Sequence, residues 1–230
     1  MATFREQIEN LAGKTVSDTT AQETEYFDML NTFLKVSARG VLDILPAQKL
    51  RKQSDFRELD SSTTNIDVTD KRILHVIRNG YGCIEVPVTM KQQVESSSGS
   101  IYEPTKKSPV FYIYGQNAVS PVGGRLIIKP TCTDTEKGQV YYTVMPNPLH
   151  TESTILPFPD DAEYAVVISS AIKVLQHKIN LLVHSDEDPE LAQIATQELG
   201  VLVQMYQDEV QRLGGNIVPF ASGQQQQAPV

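Results

Sequence analysis

Pro159-Asp160-Asp161-Ala162-Glu163-Tyr164-Ala165-Val166-Val167-Ile168 is the stretch whose reading decides this fold. Asp160 is placed to cap a helix, and Glu163 stands three residues on, where its carboxylate can return to the cap amide. From that start Ala165, Ile168, Ile172, Leu175, Ile179 and Leu182 recur at steps of three and four and make one apolar stripe. Tyr164, Val167, Ala171, Val174 and Leu181 make a second stripe beside it. One stripe suffices to seat a helix on a core, so a helix that is apolar on nearly every side has to be enclosed. Two enclosures fit: a second copy of the chain laid against Tyr164, Val167, Ala171, Val174 and Leu181, or a central position in an ordinary monomer.

A second helix follows, opened by Asp188-Pro189 with proline at the position where it loses no hydrogen bond. Its main face is Leu191, Ala195, Leu199, Leu202, Tyr206 and Leu213, with Ile194, Val201 and Met205 on the flank, and Gly214-Gly215 ends it. Asn216-Ile217-Val218-Pro219-Phe220 is then a short apolar patch before the glutamine run Gln224 to Gln227. Such a patch either meets a partner or packs back on its own domain.

Upstream, Phe4, Ile8 and Leu11 share one face of a short helix that stops at Gly13. A longer helix, capped at Ser17 or Asp18, carries Tyr26, Leu30, Phe33, Leu34, Val41, Leu42 and Leu45 on its face and ends at Pro46. Residues 51–65 are polar and read as a connecting loop. The next segment is β-rich: Ile73–Arg78, Asn79-Gly80 and Tyr81–Val88 predict a hairpin with a type I′ turn. Strands are also expected at Val110–Tyr114, Ala118–Ser120, Arg125–Lys129 and Gln139–Val144, with an exposed loop around Ser96, Ser97 and Ser98. The fold class is α+β: a helical bundle of the N-terminal helices plus two C-terminal helices, with an inserted antiparallel β-rich domain. The expected domains are 1–65 with 147–215 (helical), 66–146 (β-rich) and 216–230 (an extended tail).

With 40% hydrophobic and 21% charged residues the composition is that of a folded soluble protein. A net charge of -8 argues against a sequence-independent grip on nucleic acid phosphates, while an acidic wall that repels DNA is compatible with it. The N-terminus lacks the basic and apolar regions of a signal peptide and no apolar run reaches eighteen residues, so a cytosol-like compartment and no membrane are expected. Cys83 and Cys132 fall on different predicted strands and read as reduced, buried thiols. His75 falls in a strand and His150 in a linker, while His177 and His184 lie seven apart, too far for a helical metal pair. The Asp186-Glu187-Asp188 run is accounted for by the helix N-terminus that it precedes. No GxSxG, HExxH, GxGxxG or CxxC occurs, and Gly123-Gly124-Arg125 leads into a strand rather than a phosphate-binding helix. Phe111, Tyr112, Tyr114, Tyr141 and Tyr142 lack the basic groove of a base-stacking platform and read as cross-strand packing. No catalytic, cofactor-binding or metal-binding residue is expected, and no cofactor.

In its order of elements the chain resembles the head-to-tail adaptor, or connector, proteins of tailed bacteriophages, short-tailed ones especially. Phe158-Pro159-Asp160-Asp161-Ala162-Glu163-Tyr164-Ala165-Val166-Val167 is similar to the opening of the penultimate helix of those adaptors. Ser108-Pro109-Val110-Phe111-Tyr112-Ile113 and Lys137-Gly138-Gln139-Val140-Tyr141-Tyr142 are similar to strand pairs of phage structural proteins. The likeness covers most of the chain in layout and is specific over these segments only; the β-rich insertion is larger than in the barest adaptors. The resemblance implies a non-enzymatic virion protein, assembled in a bacterial cytoplasm, that forms a homo-oligomeric ring of about twelve between portal and tail. It implies that Asn216, Ile217, Val218, Pro219 and Phe220 bind the portal protein. Ser96, Ser97, Ser98, Ile101 and Tyr102 then meet tail or nozzle proteins, and DNA passes the channel without specific binding. A tail-tube or terminator protein, or a soluble ligand-binding domain or enzyme, are the alternatives.

Overall fold

The computed structural model describes residues 2–13, 20–96, 103–115, 124–184 and 189–214. The chain divides into a helical unit, Met1–Pro46 with Asn147–Leu156 and Asp160–Val230, and a β unit, Ala47–Pro146 with Pro157–Pro159. Numbered along the chain, the helices are α1 (Phe4–Ala12), α2 (Thr20–Ile44), α3 (Ala47–Leu50), α4 (Lys91–Ser96), α5 (Glu163–His184) and α6 (Pro189–Arg212). The strands are β1 (Asp55–Leu59), β2 (Asn65–Asp67), β3 (Lys71–Arg78), β4 (Tyr81–Gly82), β5 (Ile84–Glu85), β6 (Val110–Tyr114), β7 (Arg125–Lys129) and β8 (Gly138–Val144). The fold is α+β.

In the helical unit α1 opens with a capping box, Thr3 Oγ1 accepting from the Glu6 amide and the Glu6 carboxylate from the Thr3 amide, and stops at Gly13 with φ 72°. The cap expected for α2 at Ser17 or Asp18 lies outside the described residues. Of its expected face Tyr26, Leu30, Leu34, Val41 and Leu42 are buried, joined by Ala38, while Phe33 is half-buried.

The central element is α5, packed against α1, α2 and α6. Ala165 through Ile172, Val174 and Leu175 are all buried within the single chain. This corrects the reasoning from two apolar stripes. Val167, Ala171 and Val174 are covered inside one protomer and present no surface to a sister subunit, whereas Tyr164 and Leu181 of the same stripe are exposed. By length and composition Asp160–Val183 would pass for a membrane span, but its burial is that of a core helix. The cap also differs from expectation. Asp160–Ala162 form a 3-10 turn, and the Glu163 carboxylate accepts the Ile155 amide at 2.6 Å. A tertiary bond thus takes the oxygen that a capping box would use, and burial pushes the Glu163 carboxyl up from its ordinary value.

The inner side of α6 is Ala192, Ala195, Leu202, Val210 and, past its end, Leu213. Leu191, expected on this face, is turned out with Ile194 and Val201. The alanines let the α6 backbone sit close to α5, which sets the phase of the helix.

In the β unit, one sheet has the order β1-β8-β3-β4 and the other β2-β7-β6-β5, antiparallel throughout except for the β5–β6 pair. They form a sandwich: Leu59, Val76, Val140 and Tyr142 of one sheet share a core with Ile66, Phe111, Leu126 and Ile128 of the other. Val94 of α4 covers Val110 and Tyr112 on the far face of the second sheet. The Asn79-Gly80 turn has φ 47° and 81°, as a type I′ hairpin requires. Its second arm is short. After β4 the Cys83 amide still bonds to Val76 O, and the chain then crosses to the other sheet as β5. Residues 51–65, expected as loop, contain β1 and the start of β2. The strand expected at Ala118–Ser120 lies outside the described residues.

Candidate functional site

Pairing of β3 with β8 is regular except between Ile73 and His75, where Ile73 faces Tyr142 and His75 faces Tyr141, leaving Leu74 as an extra residue. Such a β-bulge turns two consecutive side chains toward one face. Ile73 packs on the sandwich core, whereas Leu74 and His75 both line a cleft on the outer side of the sheet. Ile77 and Tyr141 continue its lining along β3 and β8, and Ala47, Arg51 and Ser54 close it from α3 and the turn that follows. The cleft measures about 410 Å³, within the range of small binding pockets. Phe56 on β1 stacks on Tyr141 with ring centroids 5.7 Å apart and so holds that ring in place. Ser54 Oγ donates to Arg51 O at 2.7 Å, which fixes the turn carrying Arg51. The result is an apolar floor with a guanidinium and an imidazole at its edge. Ser54 and the Tyr141 phenol add hydroxyl groups to that lining.

No protein-family model matches this chain, and no curated protein does.

The residues expected to act are not gathered at the cleft. Asn216, Ile217, Val218, Pro219 and Phe220 lie outside the described residues, as do Ser97, Ser98, Ile101, Tyr102 and the side chain of Ser96, the last residue of α4. Asp186, Glu187 and Asp188 also lie outside them. Among the described residues no three His, Cys, Asp or Glu side chains are grouped to hold a metal ion. Cys132 is buried and Cys83 half-buried, both free. Burial pushes the Cys83 thiol up to about 12, so it is a poor nucleophile. His150 stacks on Phe27 with ring centroids 4.5 Å apart, the Arg5 guanidinium lies over the same Phe27 ring at 4.7 Å, and the His150 Nδ1 is 3.0 Å from Asn31 Oδ1. That arrangement ties the segment after β8 to α1 and α2. Burial, with the Arg5 charge second, pulls the His150 ring down from its usual value.

One polar group inside the bundle was not legible as such. Lys173 Nζ donates to Ser37 Oγ at 3.2 Å and to Ser169 Oγ at 3.3 Å, with no carboxylate bonded to it among the described residues. Burial pulls its ammonium down from the ordinary lysine value. Lys173→Met should therefore raise stability by roughly 1–2 kcal/mol in a denaturant titration at neutral pH. The sign with pH follows from the depressed folded value. The folded chain binds fewer protons than the unfolded one, so this penalty is full below the folded value and fades as pH rises toward about 10.4. Wild type should accordingly approach the variant in alkali.

Proposed function

We propose that the chain is a non-enzymatic structural subunit of a tailed-phage virion, one of a ring between portal and tail that extends the DNA channel and docks tail components. The observation that carries this reading is the division of charge. The helical unit holds seven Lys and Arg against eighteen Asp and Glu, a formal -11, and the β unit holds thirteen against ten, a formal +3. An acid-rich helical unit suits a wall past which DNA slides, because few phosphates are neutralised there. The outward flank of α6, with Leu191, Ile194 and Val201 about half exposed or more, supplies apolar surface for assembly in place of the buried stripe of α5. The likeness in layout to head-to-tail adaptors adds the place of the ring in the virion.

In this reading Asn216, Ile217, Val218, Pro219 and Phe220 engage the portal protein. Deletion after Gly215, or Phe220→Ala, should leave a folded subunit that fails to join portal in a pull-down and forms no rings on it by electron microscopy. Undiminished capture of the truncated chain would count against the proposal. The number of copies in such rings separates an adaptor, with about twelve, from a tail-terminator, with six. The cleft favours a second reading, a soluble ligand-binding domain or enzyme whose helices form an ordinary dimer, which predicts indifference to portal.

A further inference from the structure

Leu156 is 83% exposed, the most exposed of the large apolar side chains among the described residues, yet it is firmly held. Its neighbour Ile155 is buried, and the Ile155 amide is bonded to the Glu163 carboxylate at 2.6 Å; two positions on, Phe158 is buried as well. A leucine fixed in this way is a rigid apolar knob that loses little conformational freedom when covered. The sequence around it carries acids, with Glu152 before it and Asp160 and Asp161 after it.

The cleft of the β unit has the complementary character. Its floor is Leu74, Ile77 and the Tyr141 ring, and it has room for a leucine side chain. Its edge is formed by Arg51, in a stretch where Lys49, Arg51 and Lys52 occur with no acid between Ala47 and Ser54, and by His75. The two units differ in charge in the same sense, +3 against -11. Among the described residues of its own unit nothing covers Leu156.

We propose that the cleft is the socket for Leu156 of a second copy of this chain, with Arg51 and His75 facing the acids beside that leucine. The contact joins two different surfaces, so it is heterologous, and each copy offers one knob and one socket. Repetition closes into a ring or runs on as a chain according to the rotation between copies. The inference rests on the assembly reading for its choice of occupant, and it adds the contact by which copies would meet.

Because Leu156, Ala47 and Arg51 are all exposed, substitutions there leave the cores alone. The experiment is sedimentation of the full chain across a concentration series, in low and high salt. Wild type should self-associate, more weakly as salt screens the acid-to-base contact. Leu156→Asp, and separately Ala47→Trp to fill the socket, should each weaken association at least about tenfold, and Arg51→Glu should weaken it and reduce its salt dependence. An equimolar mixture of Leu156→Asp and Ala47→Trp should form one-to-one dimers that do not grow, because one good knob and one good socket remain per pair. Association of wild type that neither substitution alters overturns the contact and leaves assembly standing. A mixture that stays monomeric overturns it too, and a wild type monomeric at every concentration removes the contact while portal capture still tests the function.

Discussion

Val174→Asp is expected to leave no folded helical unit. Val174 is fully buried in a single chain, on the helix α5 that packs against α1, α2 and α6. A carboxylate there must either shed its hydration or disrupt the packing of the bundle, at a cost of roughly 4 kcal/mol or more, a large part of the stability of a small unit. Circular dichroism with a denaturant titration would show the loss. Leu181→Asp, at an exposed position of the same expected stripe, should change stability by no more than about 0.5 kcal/mol. The contrast decides between enclosure by the chain itself and enclosure by a neighbour. A Val174→Asp protein that folds as a stable monomer would falsify the internal packing and restore the subunit interface.

That contrast also shows how far a sequence can be read. An all-round apolar pattern from Ala165 to Leu175 says that a helix is covered, and it carries no information on whose atoms cover it. The type I′ turn at Asn79-Gly80 and the stop at Gly13 were legible because each depends on a local backbone geometry that few residues tolerate. Strand β1 was not, since Asp55, Phe56, Arg57 and Glu58 are all exposed at the edge of a sheet and only Leu59 faces the core. Its strand character comes from pairing with β8. The phase of α6 failed at Leu191, where the small Ala192 took the inner face instead, while Ala195, Leu202 and Leu213 are buried as expected. The cleft was hidden for a different reason. Ile73-Leu74-His75-Val76-Ile77 is nearly continuous in apolar character, so nothing in it marks Leu74 as the extra residue of a bulge, and every residue after the bulge changes face relative to simple alternation.

The second large effect is expected at Arg78, the last residue of β3, which is 1% exposed. Its Nη2 donates to Glu136 Oε2 at 2.7 Å and to Thr131 O at 3.1 Å, so the guanidinium pins the segment between β7 and β8 to the β3–β4 hairpin. Glu136 is also paired with Lys106 at 2.6 Å, and those partners, Lys106 foremost, hold its carboxyl below the usual range. The two members of the pair should therefore respond unequally to substitution. Arg78→Ala leaves a cavity and is expected to cost roughly 2–4 kcal/mol. Arg78→Met fills most of that volume and leaves Glu136 with Lys106, so its cost should stay within about 1 kcal/mol. Glu136→Gln strands a buried cation that cannot lose its proton, and it should destabilise the β unit more than Arg78→Met does. The pH dependence checks the assignment. Glu136 has a lower value folded than unfolded, so its contribution is complete above about 4.3 and is lost as pH falls through the folded value. The stability gap between wild type and Glu136→Gln should shrink over that acid range, and a gap unchanged down to the folded value would mean that the ion pair does not hold the hairpin.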